Sequence, residues 1–264
     1  GQTETDDAVI SRIIHGTTVA TNAILEGKGA RVGLLTTEGF EHVLHLARSW
    51  TPGPLAGWIG MKKPEPLAAI EDTIGIRERM SAKGEVVRDL DENQVRDSLR
   101  HIKENGVESL TVCLINAYAN AAHEIRIAEI GEELLDALPI SLSSEILPEF
   151  REYERTMVTV MNAYIQPLVR AYLADLQEKV KDLNGSPKID VVRSDGGCMS
   201  IDAAMRQPVH MILSGPAGGV SGARLVAAQA GFDDFLTLDM GGTSTDVAVV
   251  IDGKPQISRE TKVG

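Results

Sequence analysis

The sequence predicts an α/β fold in which a sheet is flanked by helices. Short apolar segments typical of strands alternate with longer amphipathic segments typical of helices, which favours parallel strands joined by right-handed crossovers. Glycine and hydroxyl residues cluster directly after several of these strands. The 264 residues, 43% of them hydrophobic, can bury a sizeable core in one large domain or two modest ones.

The predicted elements follow from these patterns in chain order. In the first half, we expect strands at 11–14 and 31–36, helices at 19–26 and 37–47, and a β-hairpin at 70–87 with its turn at 81–84. In the second half, we expect a helix capped by Asp91, then strands at 109–115, 140–144, 188–193 and 211–213, and helices at 121–137, 151–183 and 220–230. Residues 48–70 carry four prolines and both tryptophans; they predict a packed loop that lines a substrate or subunit surface, or an irregular crossover covering the core.

Composition argues against several classes of function. The net charge is −12 and no basic block occurs, so nucleic-acid binding is not expected. No apolar run reaches the roughly 18 residues of a membrane span, and no signal peptide is visible. Cys113 and Cys198 show neither metal-binding nor disulfide spacing, which fits a cytoplasmic location. For Cys113, a buried structural thiol is favoured over a catalytic nucleophile.

The motif richest in chemistry lies near the C-terminus. Residues 235–238 predict a buried strand, and 247–251 predict its returning partner. The turn between them contains Gly241, Gly242, Thr243, Ser244 and Thr245, whose backbone N–H groups and hydroxyls suit an anion. Asp239 and Asp246 flank the turn, and two carboxylates beside a phosphate suit Mg²⁺. An ordinary hairpin is the alternative.

Two further turns combine glycine with hydroxyl residues. His15, Gly16, Thr17 and Thr18 stand between a predicted strand and a predicted helix, where backbone N–H groups can bind an anion; a plain threonine N-cap is the alternative. The second turn, 214–219, reads Ser-Gly-Pro-Ala-Gly-Gly. It matches neither the P-loop nor the dinucleotide-binding pattern, and a tight packing turn is the alternative. Three such turns in one α/β chain favour a shared phosphate-binding cleft.

Five motifs together resemble those of the hydantoinase A/5-oxoprolinase family. They begin at His15 (His-Gly-Thr-Thr-Val-Ala-Thr-Asn-Ala-Ile-Leu), Gly29 (Gly-Ala-Arg-Val-Gly-Leu-Leu-Thr-Thr-Glu-Gly-Phe), Lys63 (Lys-Pro-Glu-Pro), Ser214 (Ser-Gly-Pro-Ala-Gly-Gly) and Asp239 (Asp-Met-Gly-Gly-Thr-Ser-Thr-Asp-Val). The resemblance implies an actin-like ATPase (ribonuclease H-like) fold, in which two α/β lobes bind ATP and Mg²⁺. It also implies ATP-dependent opening of cyclic amides such as hydantoins and 5-oxoproline.

The resemblance also implies roles for individual residues. Asp239 is expected to bind Mg²⁺ and to act in catalysis with Asp246. The expected phosphate-binding residues of the hairpin are Gly241, Gly242, Thr243, Ser244 and Thr245. The other two motifs add Thr17, Thr18, Ser214, Gly215, Gly218 and Gly219 as further candidates for ATP binding.

The chain departs from the family pattern at both ends. Family members carry a first phosphate loop, Asp-x-Gly-Gly-Thr-x-Thr-Asp, some tens of residues before the His-Gly-Thr-Thr stretch, and too few residues precede His15 to hold it. The adenosine-binding part is expected beyond residue 264. We therefore expect an internal piece: residues 1–234 as most of lobe one, with 48–90 inserted, and 235–264 as the opening hairpin of an incomplete lobe two.

Three functions are compatible with these motifs. The first is a subunit of an ATP-dependent cyclic-amide hydrolase, which works with a B-type hydantoinase subunit as part of an oligomer. The second is the ATP-dependent subunit of a carboxylase that acts on a ketone. The third is a nucleotide-gated assembly protein, since actin-like folds also serve that purpose.

Overall fold

The computed structural model describes residues 9–48, 65–241 and 245–256, and the predicted α/β class is confirmed. In chain order, the elements are β1 (Arg12–His15), α1 (Val19–Leu25), β2 (Val32–Thr37), α2 (Val43–Leu46), β3 (Thr73–Ile76), β4 (Arg79–Met80), β5 (Val86–Arg88), α3 (Glu92–Glu104), β6 (Ser109–Cys113), α4 (Ala122–Leu134), β7 (Ile140–Leu142), α5 (Ser143–Ile146), α6 (Glu152–Val180), β8 (Lys188–Val192), β9 (Cys198–Ser200), α7 (Ile201–Arg206), α8 (Ser214–Gln229), β10 (Phe235–Met240), β11 (Thr245–Ile251) and β12 (Lys254–Pro255). The chain forms two compact units. One is residues 29–167, and the other combines the described residues before 29 with those after 167.

The unit of residues 29–167 is built on a parallel sheet with the strand order β3-β2-β6-β7. Every residue of β2 and β6 is buried, as expected for central strands that are covered on both faces. Helices α3 and α4 pack onto this sheet, and α3 begins as predicted: Oδ1 of Asp91 accepts the N–H of Gln94 at 3.0 Å. The buried core includes Leu35, Leu99, Leu110, Val112 and Ile127.

The second unit contains a mixed sheet and an antiparallel one. Strand β8 pairs with β1 in parallel and with β9 antiparallel, while β10, β11 and β12 form an antiparallel meander that follows α8. The long helix α6 contributes its first part to one unit and its last part to the other, and the division falls at Pro167. No helix in the described ranges is long and apolar enough to cross a membrane.

Two elements predicted for the first half of the chain are shorter in the structure than expected. The predicted helix at 37–47 shrinks to α2, because Thr37 belongs to β2 and Gly39 adopts a φ of +88°. The predicted hairpin at 70–87 shrinks to β4 and β5, with its turn at 81–84 as expected. Strand β3 instead pairs in parallel with β2. The loop that holds both tryptophans falls at residues 49–64, outside the described residues.

The prediction for residues 211–219 is also wrong. Instead of a strand followed by a glycine-rich loop, Pro208–Met211 is a 3-10 helix and α8 already begins at Ser214. Leu213 turns the chain with a left-handed φ of +62°. Pro216 is tolerated because it lies in the first turn of α8, where its missing N–H has no intrahelical partner to lose.

The predicted burial of residues 235–238 holds for only one face of the hairpin. The register pairs Leu236 with Val249 and Leu238 with Val247, and the two leucine side chains are 68% and 67% exposed. The opposite face, which includes Phe235 and Val250, is more buried and contacts α8. In the described structure the meander is therefore covered on one side only.

Candidate functional site

The turn between β1 and α1 presents hydroxyl groups at the end of a strand. His15 ends β1, and α1 begins at Val19 after Gly16, Thr17 and Thr18. Oγ1 of Thr17 accepts the N–H of Val19 at 3.2 Å, whereas Thr18 makes no side-chain capping hydrogen bond. Thr17 therefore accepts a hydrogen bond near the helix start, but Thr18, at the N-cap position, does not cap the helix with its side chain. The hydroxyl protons of both threonines are available to an anion.

The start of α8 packs directly against this turn. The hydroxyl of Ser214 donates to the carbonyl oxygen of Thr17 at 3.0 Å, and the N–H of Leu213 donates to Oγ1 of Thr21 at 2.9 Å. A Cβ atom added to Gly215 would lie 3.0 Å from Cγ2 of Thr18. Two motifs that are far apart in the sequence therefore meet within one compact unit.

The glycines of the second motif differ in what they can offer a ligand. In an α-helix, N–H groups beyond the first turn bond to the carbonyl four residues earlier, so the N–H groups of Gly218 and Gly219 belong to α8. At both positions, and at Gly222, an added Cβ atom would meet no atom within 4 Å. Gly218 and Gly219 can therefore serve a ligand by letting it approach the helix surface.

The loop after β8 borders the same region, and sequence reasoning missed it. In the parallel pairing, His15 lies beside Val191, so the Gly16 turn and the loop starting at Arg193 leave the sheet at the same edge. The N–H of Ser194 donates to the carbonyl of His210 at 2.8 Å, and Arg193 pairs with Asp195 at 3.0 Å. The stretch Ser194-Asp-Gly-Gly197 at a strand end is the sequence pattern that points to this loop.

Burial favours the neutral form of two histidines in this unit. Burial lowers the pKa of His15, whose Nε2 lies 2.8 Å from the hydroxyl of Tyr172. Burial also lowers the pKa of His210, as does the nearby charge of Arg193, while Asp195 acts in the opposite direction. Tyr172 lies on α6, and no local pattern in the sequence connects it with His15.

The hairpin places two carboxylates side by side. Asp239 lies directly opposite Asp246 in the antiparallel register, so both side chains project from the same face. Gly241 follows β10, and Thr245 pairs with Met240 on the opposite face. The remaining predicted phosphate ligands, Gly242, Thr243 and Ser244, lie outside the described residues.

The acid pair fits a divalent cation. Like charges directly opposite each other in a sheet repel, and among the described residues no Lys or Arg forms an ion pair with Asp239. No group of three His, Cys, Asp or Glu side chains that could enclose a metal occurs in the described ranges. Mg²⁺ needs no such cage, since one or two carboxylates with substrate phosphates and water suffice.

Cys113 does not have the properties of a nucleophile. It is 2% exposed and lies in the unit of residues 29–167, where its Sγ is 3.1 Å from Oγ1 of Thr156. Burial raises the pKa of the thiol, and the thiolate rather than the thiol is the reactive form. The interpretation as a structural thiol agrees with this environment.

Solved structures share this architecture. The chain aligns with a nucleotide-free structure of acetone carboxylase, an enzyme of ATP-dependent acetone carboxylation, with a TM-score of 0.82 and 26% identity over 92% of this chain and 36% of that one. It aligns with the ATP-dependent caprolactamase of Pseudomonas jessenii with a TM-score of 0.77 and 27% identity over 90% of this chain and 35% of that one. The predicted actin-like ATPase fold class is thereby confirmed.

The sequence comparisons agree with the structural ones. The chain is 33% identical to the acetophenone carboxylase gamma subunit of Aromatoleum aromaticum over 254 residues, which cover 92% of this chain and 34% of that subunit. It spans well under half the length of each of these relatives. Residues 1–135 match the hydantoinase/oxoprolinase N-terminal region, and residues 155–264 match the hydantoinase/oxoprolinase family itself. The chain belongs to the hydantoinase/oxoprolinase family.

Proposed function

We propose that this chain is part of a subunit of an ATP-dependent cyclic-amide hydrolase. One observation carries the proposal: in a member of this family, all three predicted phosphate motifs fall in the same compact unit, and two of them are in direct contact. Caprolactamase, a structural neighbour, is an ATP-dependent enzyme named for a lactam. The two-lobe division at residue 234 remains a prediction.

The phosphates of ATP would be bound by the helix start and by the hydroxyls around it. Helix α8 has 16 residues, and its first N–H groups and positive dipole end favour negative charge. Thr17 and Thr18 lie beside that end and supply hydroxyls, while the buried hydroxyl of Ser214 donates to the carbonyl oxygen of Thr17 and holds the two motifs together. The predicted hairpin ligands Gly241, Gly242, Thr243, Ser244 and Thr245 would complete the site.

Asp239 and Asp246 would be the residues that hold Mg²⁺ at the phosphate site. When bound, the ion neutralises charge that develops on the transferred phosphoryl group. The two carboxylates would orient that ion, and their mutual repulsion would be relieved by it.

ATP would serve to activate a poor electrophile. The carbonyl carbon of a lactam or imide resists attack by water, and phosphorylation of its oxygen turns that oxygen into a leaving group. The protein would contribute positioning and charge stabilisation. An isotope experiment tests this: ¹⁸O placed in the ring carbonyl should appear in the released phosphate, whereas retention of all the label in the product would refute the mechanism.

A ketone carboxylase is the second candidate, and specific observations favour it. The acetone carboxylase structure and the acetophenone carboxylase subunit both cover more than nine-tenths of this chain. In that case the phosphorylated species would be an enolised ketone or bicarbonate. ATP turnover stimulated by hydantoins or 5-oxoproline would support the hydrolase, and turnover that needs a ketone with bicarbonate would support the carboxylase.

The chain would work within a larger cytoplasmic assembly. Two of its relatives are named as subunits, a carboxylase gamma subunit and a caprolactamase alpha subunit. We therefore propose a B-type hydantoinase subunit as the partner. Co-purification of the full-length protein with that subunit would test the pairing.

A further inference from the structure

The imidazole of His15 is held in a defined orientation on the residue that precedes the turn of the proposed phosphate site. His15 ends β1, one residue before Gly16, and its Nε2 lies 2.8 Å from the hydroxyl of Tyr172. The two ring centroids are 5.7 Å apart, with an interplanar angle of 32°. Across the parallel pair, His15 lies beside the fully buried Val191. The strand and the tyrosine together therefore restrict the ring.

The second ring nitrogen remains available. Within the described residues, Nδ1 of His15 forms no hydrogen bond, and the side chain is only partly buried. When Nε2–H donates to the oxygen of Tyr172, Nδ1 carries the lone pair and can accept a proton. Tyr172 then also stabilises the imidazolium that forms, through the same hydrogen bond.

The surroundings of His15 keep it neutral. Burial lowers the pKa of the imidazole, so the base form dominates at neutral pH. The neighbouring elements carry two ion pairs, Arg12 with Asp190 across β1 and β8 and Lys179 with Asp175 on α6, while Arg170 on α6 is exposed. Each pair combines opposite charges, so neither leaves a net charge beside the imidazole.

The proposed chemistry requires a base in either of its versions. When an amide oxygen becomes bonded to phosphorus, the product carries a positive charge unless the proton on the adjacent nitrogen leaves. When a ketone oxygen is phosphorylated, the proton on the adjacent carbon must leave. Both reactions need a proton acceptor near the transferred phosphoryl group.

We propose that His15 is this base, an inference that rests on the proposed function. In the cyclic-amide reaction, the carbonyl oxygen of the ring amide forms a bond to the γ-phosphorus of ATP while the bond from that phosphorus to ADP breaks. The N–H proton moves to Nδ1 of His15, and its electron pair forms the C=N bond. In the ketone reaction, the proton comes from the α-carbon and the pair forms a C=C bond. Tyr172 is a positioning residue.

The test uses the full-length protein with its partner subunit, ATP, and 5-oxoproline, a hydantoin, or acetone with bicarbonate. We expect His15→Gln to lower the substrate-stimulated kcat by about 10²- to 10⁴-fold while the affinity for a fluorescent ATP analogue stays unchanged. The wild-type kcat/KM should fall as the pH drops through the lowered pKa of His15, below 6.5, and the variant should lose this dependence. His101→Gln, which changes an exposed histidine bonded to Asn105, is the matched control and should behave as wild type.

Each outcome decides a separate question. If His15→Gln keeps its kcat and the acid dependence, or loses ATP binding, His15 is not the base, and the proposed function is unaffected. If the wild type shows no stimulation by any of the substrates, the proposed function fails first. Tyr172→Phe provides a second variant: it should lower kcat about tenfold and shift the acid limb, and an unchanged profile would contradict the positioning role.

Discussion

Replacing single glycines of α8 by alanine separates the structural from the ligand-binding role of this helix. Gly218, Gly219 and Gly222 all lie within α8, and at each an added Cβ atom would meet nothing within 4 Å. Alanine at each position should therefore stabilise the protein by about 0.5–1 kcal/mol, the usual difference between glycine and alanine in a helix. For a chain of this size, that corresponds to a rise in Tm of about 1–4 °C.

Binding of ATP should respond differently to the same substitutions. If the phosphates lie against Gly218 and Gly219, the new methyl groups occupy that space, and we expect the Kd for ATP to rise about tenfold or more, which is 1.4 kcal/mol. Gly222 lies one turn further along α8, outside the predicted site, so Gly222→Ala should stabilise the protein without weakening ATP binding. Thermal unfolding and nucleotide titration of the full-length variants give both quantities.

Two results would refute the reasoning. Equal ATP affinity in Gly218→Ala, Gly219→Ala and Gly222→Ala would show that the phosphates do not approach this helix. A loss of stability at all three positions would show that residues 218–222 do not form a helix in the protein. Gly215→Ala adds a contrast, because its Cβ atom would lie 3.0 Å from Cγ2 of Thr18, so close packing should cancel the helical gain.

Three further predictions concern charged and buried groups. Asp239→Asn should raise Tm in the absence of Mg²⁺ by removing a like-charge pair and lower ATP turnover about 10²-fold; unchanged turnover in a steady-state assay would contradict its role at the metal. Glu124→Gln should lower the free energy of unfolding in urea by about 1–3 kcal/mol. The reason is that the buried carboxylate accepts hydrogen bonds from Leu114, Ser143 and Ser144. An unchanged free energy would argue against this network. The lowered pKa of His210 means that the unfolded state binds a proton more readily, so stability should decline as the pH falls below 6.5; His210→Gln should flatten that decline in unfolding curves taken from pH 7 to 5.

The elements that the sequence predicted correctly depend on residues close together in the chain, such as helix caps and continuous apolar runs. The start of α3 was predictable because Asp91 caps it through its own side chain, three residues from its partner Gln94. Strands β2 and β6 were predictable because central parallel strands need continuous apolar runs. The three glycine and hydroxyl motifs were visible for the same reason, since each is a short contiguous stretch.

The remaining features depend on contacts between distant parts of the chain. Ser214–Gly219 has the composition of a loop, yet it is helical, and Leu213 and Ser214 are anchored to Thr21 and Thr17. The pairing of His15 with Tyr172 joins residues 157 positions apart, and no local pattern marks either as a partner of the other. Tertiary contacts of this kind override local propensity.

The likeness to both a lactam hydrolase and ketone carboxylases agrees with the proposed phosphoryl transfer, which would be common to both reactions. Both reactions would begin with the same event, transfer of the γ-phosphoryl group to a carbonyl oxygen, coupled to loss of a proton from the adjacent atom. The motifs at His15, Ser214 and Asp239 carry chemistry suited to that event, and they lie in one compact unit. The reactions differ afterwards: in the hydrolase, water attacks the activated carbonyl carbon, whereas in the carboxylase the α-carbon of the enol attacks a carboxyl donor. Residues that decide between them must therefore contact the water or the carboxyl donor, so exchanging the phosphate motifs between hydrolase and carboxylase relatives should preserve each enzyme's own reaction.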